Sequence, residues 1–330
     1  MKTCGSFFSG GGVADIGFRA AGYELTFANE YDAKIANVYR LNLGDHIRVA
    51  DIRDEDVRSY PWVNHFHASP VCARASVANQ NRSEAQIDID TARKVSEYIT
   101  HHKPDTVTIE NVSAYRHFES YKGIIQTLDD NGYWHNASIL NSADFGVPQT
   151  RRRLIVRAVR GGFVPPLPAP IEWVGWYAAV EDIIDTLEPS QFADWQLARL
   201  PDEYKTLLFA QGGYDDTLTV YDETKPAGTI TANSNQASMR AFIVDGMNAS
   251  RTVTVSDNTQ PIFTVTSTQK GAHRAWLSAG RVVKISPRGL ARFQSIPDWY
   301  QLPDNTALAC KIIGNGWPSL MAQRIAESFM

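Results

Sequence analysis

The stretch Cys4-Gly5-Ser6-Phe7-Phe8-Ser9-Gly10-Gly11-Gly12-Val13-Ala14-Asp15-Ile16-Gly17-Phe18-Arg19-Ala20-Ala21 decides the fold. Its apolar run from Cys4 to Phe8 reads as a strand, Gly10-Gly11-Gly12 as a tight turn, and Ala14 to Ala21 as an amphipathic helix. Outward from it the same alternation repeats. Strands are expected at Glu24 to Asn29, Ile47 to Asp51, His65 to Ser69, Thr106 to Glu110 and Leu154 to Val159. Helical patterns fall between them, at Ala33 to Leu43, Asp88 to His101 and Tyr121 to Asn131. This predicts an α/β fold, a doubly wound and mostly parallel sheet covered on both faces.

After Val159 the texture changes. Pro165-Pro166-Leu167-Pro168-Ala169-Pro170 can continue neither a helix nor a central strand, so a boundary belongs there. The expected organisation is one unit of residues 1–165 plus 286–330 and a smaller, strand-rich unit of residues 166–285. In the second unit, helices are expected at Glu181 to Leu187 and Asp194 to Leu208, and 215–285 reads as short strands rich in Thr, Val and Ser. Lys225-Pro226-Ala227-Gly228-Thr229-Ile230-Thr231 is echoed by Gln260-Pro261-Ile262-Phe263-Thr264-Val265-Thr266. Two copies are too few for a solenoid and read as two similar strand-and-turn units. Ser286 to Phe293 opens a further helix; Ile313 to Pro318 reads as a glycine-containing turn before a C-terminal amphipathic helix that returns to the first unit.

Composition sets limits on function. The chain has 330 residues, 43% apolar and 21% charged, enough for a sizeable core. A net charge of -4 carries no overall nucleic-acid signature, so any such surface must come from local segregation of charge. Cys4, Cys72 and Cys310 lie far apart, which excludes a disulfide framework or a zinc ribbon and points to a reducing cytoplasm. No metal site is expected. The start, Met1 to Phe8, lacks the apolar stretch of a signal peptide, and no run of about 18 apolar residues occurs, so membrane insertion is not expected.

The chemistry-bearing residues fall at strand ends. A glycine turn after the first strand is where such a sheet takes an adenosine-containing ligand. Glu30 follows about 20 residues on, where a carboxylate accepts from ribose hydroxyls, and Asp51-Ile52 offers an acceptor beside an apolar contact. The fourth strand ends in Ser69-Pro70-Val71-Cys72 and the fifth in Glu110-Asn111-Val112. A thiol that adds to a ring and an acid that protonates or hydrogen-bonds it are the two groups covalent catalysis on an unreactive heterocycle needs. Gln149-Thr150-Arg151-Arg152-Arg153 adds a basic strand on which alternation turns Arg151 and Arg153 to one side. Residues 270–292 carry Lys270, Arg274, Arg281, Lys284, Arg288 and Arg292 without one acid, a local positive surface.

With these residues in order, the chain resembles the cytosine-C5 DNA methyltransferase family. Phe8-Ser9-Gly10-Gly11-Gly12 looks like its first motif, Glu30 and Asp51 like the second and third, and Ser69-Pro70-Val71-Cys72 like the Pro-Cys motif. Glu110-Asn111-Val112, then Gln149, Arg151 and Arg153, then Ser286-Pro287-Arg288 to Pro297-Asp298 and Ile313-Gly314-Asn315 match the later ones. The chain departs at Val71, Ala73 and Ala75, where the family usually has proline, glutamine and an aromatic, and at Val13, Gly289 and Gly316-Trp317.

The resemblance implies a Rossmann-like methyltransferase fold with a target-recognition domain in the unmatched middle. S-adenosyl-L-methionine is the implied donor, held by Phe8, Gly10, Gly12, Glu30, Asp51, Ile52, Pro70 and Asn315. Cys72 would attack carbon 6 of a flipped cytosine while Glu110 holds the ring, assisted by Arg151 and Arg153. Ser76, Arg151, Arg153, Lys270, Arg274 and Arg281 would face double-stranded DNA. A cytoplasmic monomer paired with a cognate restriction endonuclease is the implied setting. Two alternatives stay open: a cytosine-C5 methyltransferase of RNA, and a catalytically altered or non-catalytic DNA-binding relative.

Overall fold

Strand β1, Thr3–Phe7, is buried over most of its length, as a near-continuous apolar run requires of a central parallel strand. The computed structural model describes residues 1–72, 84–191, 207–211, 218–230, 239–244 and 280–330. From β1 the chain runs through α1 (Val13–Ala20), β2 (Glu24–Glu30), α2 (Ala33–Leu43), β3 (Ile47–Val49) and β4 (His65–Ala68). It continues through α3 (Gln86–His102), β5 (Thr106–Asn111), α4 (Glu119–Asp130), β6 (Tyr133–Asn141) and β7 (Arg152–Arg160). These seven strands form one sheet in the order β3-β2-β1-β4-β5-β7-β6. The first five pair in parallel, and β7 and β6 close the edge antiparallel. The chain thus builds outward from β1 on one side and resumes at β4 on the other. The carboxyl ends of β1 and β4 border the crevice where such sheets bind ligands.

Both faces are covered. Phe7, Phe66, Tyr98, Val107 and Ile124 build the core under α3 and α4. Phe18, Tyr23, Ile155, Met321 and Ile325 build the opposite one under α1 and a C-terminal helix. In that C-terminal part, α5 (Pro287–Phe293) starts with the Ser286 side chain accepting from the Gly289 N–H, and with proline in its first turn. Helices α6 (Thr306–Asn315) and α7 (Ser319–Glu327) follow.

Beyond shifts of one or two residues at element ends, two readings and one strand differ from the expectation. Strand β3 stops at Val49, because the Asp51 side chain accepts from the Arg53 N–H and caps a short 3-10 turn instead. Ile313-Gly314-Asn315 is the last turn of α6, capped at its start by Asn305; the reversal falls at Gly316 to Pro318. Strand β6 was not expected at all. It is a sheet edge on which Tyr133 alone is fully buried, so the apolar alternation that betrays a strand is missing.

In the middle of the chain, β8 (Leu207–Gln211), β9 (Leu218–Asp222), β10 (Met239–Val244) and β11 (Gly280–Lys284) form an antiparallel sheet ordered β11-β10-β8-β9. The helix expected to reach Leu208 is therefore corrected at its end, where ladder pairing of Leu207 and Leu208 with β9 and β10 overrides local propensity. Its remaining residues, 194–206, lie outside the described residues, as does the second repeat unit at 260–266. Glu181–Thr186 is a 3-10 helix. Trp176, Val180 and Ile184 pack in one continuous core with Ala241, Val283, Leu290 and Phe293. Among the described residues no helix is long and apolar enough to cross a membrane.

Candidate functional site

At the carboxyl ends of β1 and β4 lies a cavity of about 440 Å³, within the usual range for a small-molecule site. Phe8, Gly10, Glu30, Pro70 and Asn315 line it, and so do Cys72, Glu110, Arg151 and Arg153. Nine of the expected site residues are thus brought together from six segments of chain. Gly12, Asp51 and Ile52 are not part of the lining. Ser76, Lys270 and Arg274 lie outside the described residues, and Arg281 sits in β11 opposite Ile243.

One end of the cavity is shaped by the glycine turn. Phe8 has φ 58, a conformation that costs a bulky residue about 1–3 kcal/mol and needs its surroundings to hold it. Gly10 has φ 55, and a Cβ there would meet nothing within 4 Å, so the backbone is open to the cavity. Across from it, Glu30 Oε2 accepts from the Gly10 N–H at 3.1 Å and Oε1 from the Asp32 N–H at 2.8 Å. Burial pushes the Glu30 carboxyl up from its ordinary value, and those two N–H groups pull it back. The carboxylate braces the turn and still has lone pairs for hydroxyl donors.

Asp51 is otherwise engaged. Both its oxygens meet the Arg53 guanidinium, at 3.0 and 2.6 Å, and that pair holds its carboxyl below the usual range. Gly12 starts α1, and a Cβ there would fall 2.3 Å from Leu43 and 2.9 Å from Tyr39, so glycine at this position serves the packing of α2.

The other end is built by the tips of β4, β5 and β7. Asn111 donates through Nδ2 to the Pro70 carbonyl at 2.9 Å, tying the end of β5 to the segment that carries Cys72. Glu110 is 5% exposed; Ser69 donates to its Oε2 at 2.9 Å and Arg153 Nε lies 3.0 Å from its Oε1. Burial draws the Arg153 guanidinium below its ordinary value while Glu110 opposes the shift, as expected of a desolvated charge paired with one carboxylate. Cys72 is partly buried beside Tyr115, Phe118 and Leu154. The other two thiols are fully buried, and burial pushes Cys4 well up.

Arg151 and Arg153 both line the cavity while Arg152 is exposed, as strand alternation predicts. Their partners differ. Arg151 donates to the carbonyls of Ile230 and Gly314, both at 2.8 Å, so its guanidinium ties the middle of the chain to the last turn of α6. The basic run 270–292 is also corrected in part. Arg292 pairs with Asp182 and Asp298, and Arg288 donates to the Pro297 and Tyr300 carbonyls, so these two serve packing rather than an open positive surface.

Sequence reasoning missed Lys311, which lines the cavity and pairs with Asp32 at 3.0 Å. The signal was available: Lys311 precedes Asn315 by four residues, one helical turn on the same face. Asp15, His67 and Trp317 also line it. Burial pushes Asp15 up to about 6, against hydrogen bonds from Ser6 and Tyr39.

Comparison with known proteins bears on the family and the fold. A family model described as C-5 cytosine-specific DNA methylase matches residues 2–330. Type II methyltransferase M.HhaI of Haemophilus parahaemolyticus is 24% identical over 331 residues, covering 97% of this chain and 91% of that one. Type II methyltransferase M.Bsp6I of Bacillus sp. (strain RFL6) is 31% identical over 182 residues, 52% of this chain and 58% of that protein. Among solved structures, the S. pombe Dnmt2 methyltransferase superposes with a TM-score of 0.64 at 14% identity, over 99% of this chain and 98% of that one. A putative DNA modification methyltransferase from an E. coli prophage gives 0.64 at 17% identity, over 100% and 98%. At such identities the two structures speak for the fold.

Proposed function

The chain belongs to the C-5 cytosine-specific DNA methylase family, and from that membership we propose that it methylates carbon 5 of a cytosine flipped out of double-stranded DNA. The observation that carries the reading is the shared cavity, whose lining includes Cys72, the Glu110–Arg153 pair and the open Gly10 turn. S-adenosyl-L-methionine would supply the methyl group as an electrophilic carbon on a sulfonium. The open backbone at Gly10 fits it, because a Cβ would otherwise intrude on the cradle, and Phe8, Glu30, Pro70 and Asn315 would hold it there.

A thiol cannot reach a base inside a duplex, so the cytosine must leave the stack. The Cys72 sulfur would then form a bond to carbon 6, and Glu110 would supply a proton or hydrogen bond to the ring nitrogen, which lets carbon 5 accept electron density. Arg153 keeps the Glu110 carboxyl in place. After methylation, loss of the carbon 5 proton and breaking of the sulfur bond would free the base. Incorporation of labelled methyl into duplex DNA but not RNA tests the reading; no incorporation into either overturns it.

Two expectations follow. Glu30→Ala should weaken donor binding by about 1.5–3 kcal/mol, the worth of hydrogen bonds to a charged group, while Cys72→Ser should bind the donor almost as the wild type does. Calorimetry giving the reverse ranking would remove Glu30 from the donor site. The second concerns residues 166–285, which we propose as the target-recognition domain of a cytoplasmic monomer, with a cognate endonuclease as its partner in the cell. Base readout needs side chains presented to a groove by a module apart from the cofactor sheet. Exchanging this segment for that of a relative should change the sequence modified. An active hybrid that keeps the original site would refute the assignment.

A further inference from the structure

Glu110 is held from a second side by a file of uncharged groups that the proposed reaction does not use. Ser69 Oγ donates to Glu110 Oε2 and lies 3.2 Å from His67 Nε2. His67 Nδ1 lies 3.1 Å from Thr108 Oγ1, which is 3.0 Å from His65 Nε2, and His65 Nδ1 lies 2.8 Å from Thr106 Oγ1. The parallel register of β4 and β5 sets His65 beside Thr106 and His67 beside Thr108, so alternation puts all four side chains on one face of the sheet.

Counting protons gives the file a direction. A serine hydroxyl has one O–H, and Ser69 gives it to Glu110, so His67 must donate through Nε2. A neutral imidazole has one N–H, so Nδ1 of His67 accepts from Thr108. Thr108 has then spent its own proton and accepts from His65 Nε2, and His65 Nδ1 in turn accepts from Thr106 Oγ1, which lies 2.8 Å away against 3.4 Å from that hydroxyl to its other acceptor, the Asn64 carbonyl. Every donor points toward Glu110. Both rings are buried, which pushes each down to about 3 and keeps them neutral at ordinary pH. The His67 ring is also wedged 5.3 Å from Trp317 and 5.1 Å from Phe18, leaving it little freedom to turn.

We propose that Ser69 and His67 are positioning residues for Glu110: the imidazole holds the Ser69 hydroxyl on Oε2, and that bond, with Arg153 on Oε1, locks the carboxyl in one rotation at the cavity. The proposal rests on the methyl-transfer reading for its catalytic consequence. Its distinguishing feature is that the two residues act in series.

The test is a double-mutant cycle on the full chain, with labelled methyl transfer to duplex DNA read as kcat and KM. Ser69→Ala and His67→Leu should each lower kcat about tenfold, the worth of one hydrogen bond to a charged group, with KM for DNA and donor within about twofold. The double variant should be no slower than Ser69→Ala alone. Ser69→Thr and His67→Gln, which keep the hydroxyl and the N–H, should recover most of the rate. If His67→Leu does not fold, His67→Gln with the Ser69 pair still decides. Additive losses, a loss carried by KM, or Ser69→Thr as slow as Ser69→Ala would overturn the proposal. A second arm is independent of turnover: the carbon-13 carboxyl signal of Glu110, identified by its loss in Glu110→Gln, should shift in His67→Leu but not when that change is made on Ser69→Ala. A wild type that transfers no methyl group sinks the functional reading, and the carboxyl signal then decides the Ser69–His67 coupling by itself.

Discussion

Replacing Cys72 by serine is expected to cut methyl transfer by on the order of a thousandfold or more, since a hydroxyl is a far poorer nucleophile than a thiolate and neither Cys4 nor Cys310 lines the cavity. The covalent step can be caught directly. With 5-fluorocytosine at the target position, the sulfur would still bond to carbon 6 and carbon 5 would still be methylated. Fluorine cannot then leave as the proton does, so the sulfur bond cannot break. The wild type should form a denaturation-resistant adduct with such a duplex only when the donor is present, and Cys72→Ser should form none. Cys4→Ser and Cys310→Ser should trap as the wild type does, because both thiols are buried away from the cavity lining. An adduct that persists in Cys72→Ser would falsify the nucleophile assignment.

The contrast among the three cysteines shows what a linear reading captures. Cys72 stood out because it follows a strand in a βα alternation, and such alternation places strand ends on one rim regardless of detail. Glu110 was legible for the same reason: β4 and β5 are parallel neighbours, so residues at or just past their carboxyl ends emerge together. Side-chain destinations were not legible. Arg151 and Arg153 share strand parity, yet one guanidinium meets a carboxylate and the other bonds two backbone carbonyls, at positions 79 and 163 residues away in sequence. Such partners depend on how the middle segment and α6 fold back, which no local pattern encodes. The expected strand end at Asp51 misled for a different reason. Its strand looked long enough to carry it to the rim, but an aspartate two residues before an arginine N–H caps a turn and ends the strand early. Strand β6 escaped because an edge strand with one buried face-end lacks the alternation on which recognition depends.

Glu110→Gln should lower methyl transfer on the order of a hundredfold while leaving the fold intact, and the two halves of that expectation have separate causes. The amide cannot supply the proton that makes the ring electrophilic, so the rate falls. Its carbonyl oxygen can still accept from Arg153, so the largely buried guanidinium keeps a partner and melting should change little. Glu110→Ala separates the effects from the other side. Removing both oxygens strands Arg153 in the cleft, and breaking a buried pair by deleting one partner costs about 3–5 kcal/mol. The alanine variant should therefore lose stability as well as rate, and Arg153→Leu in the same background should restore part of the stability without restoring the rate. Adduct formation orders the steps: with Glu110→Gln, the fluorinated duplex should still be trapped, but slowly, because the nucleophile is intact and only the activation of the ring is impaired. Trapping at the wild-type rate would mean that ring activation comes from another group, and Arg153, the charged donor paired with that carboxyl, would be the residue to replace next.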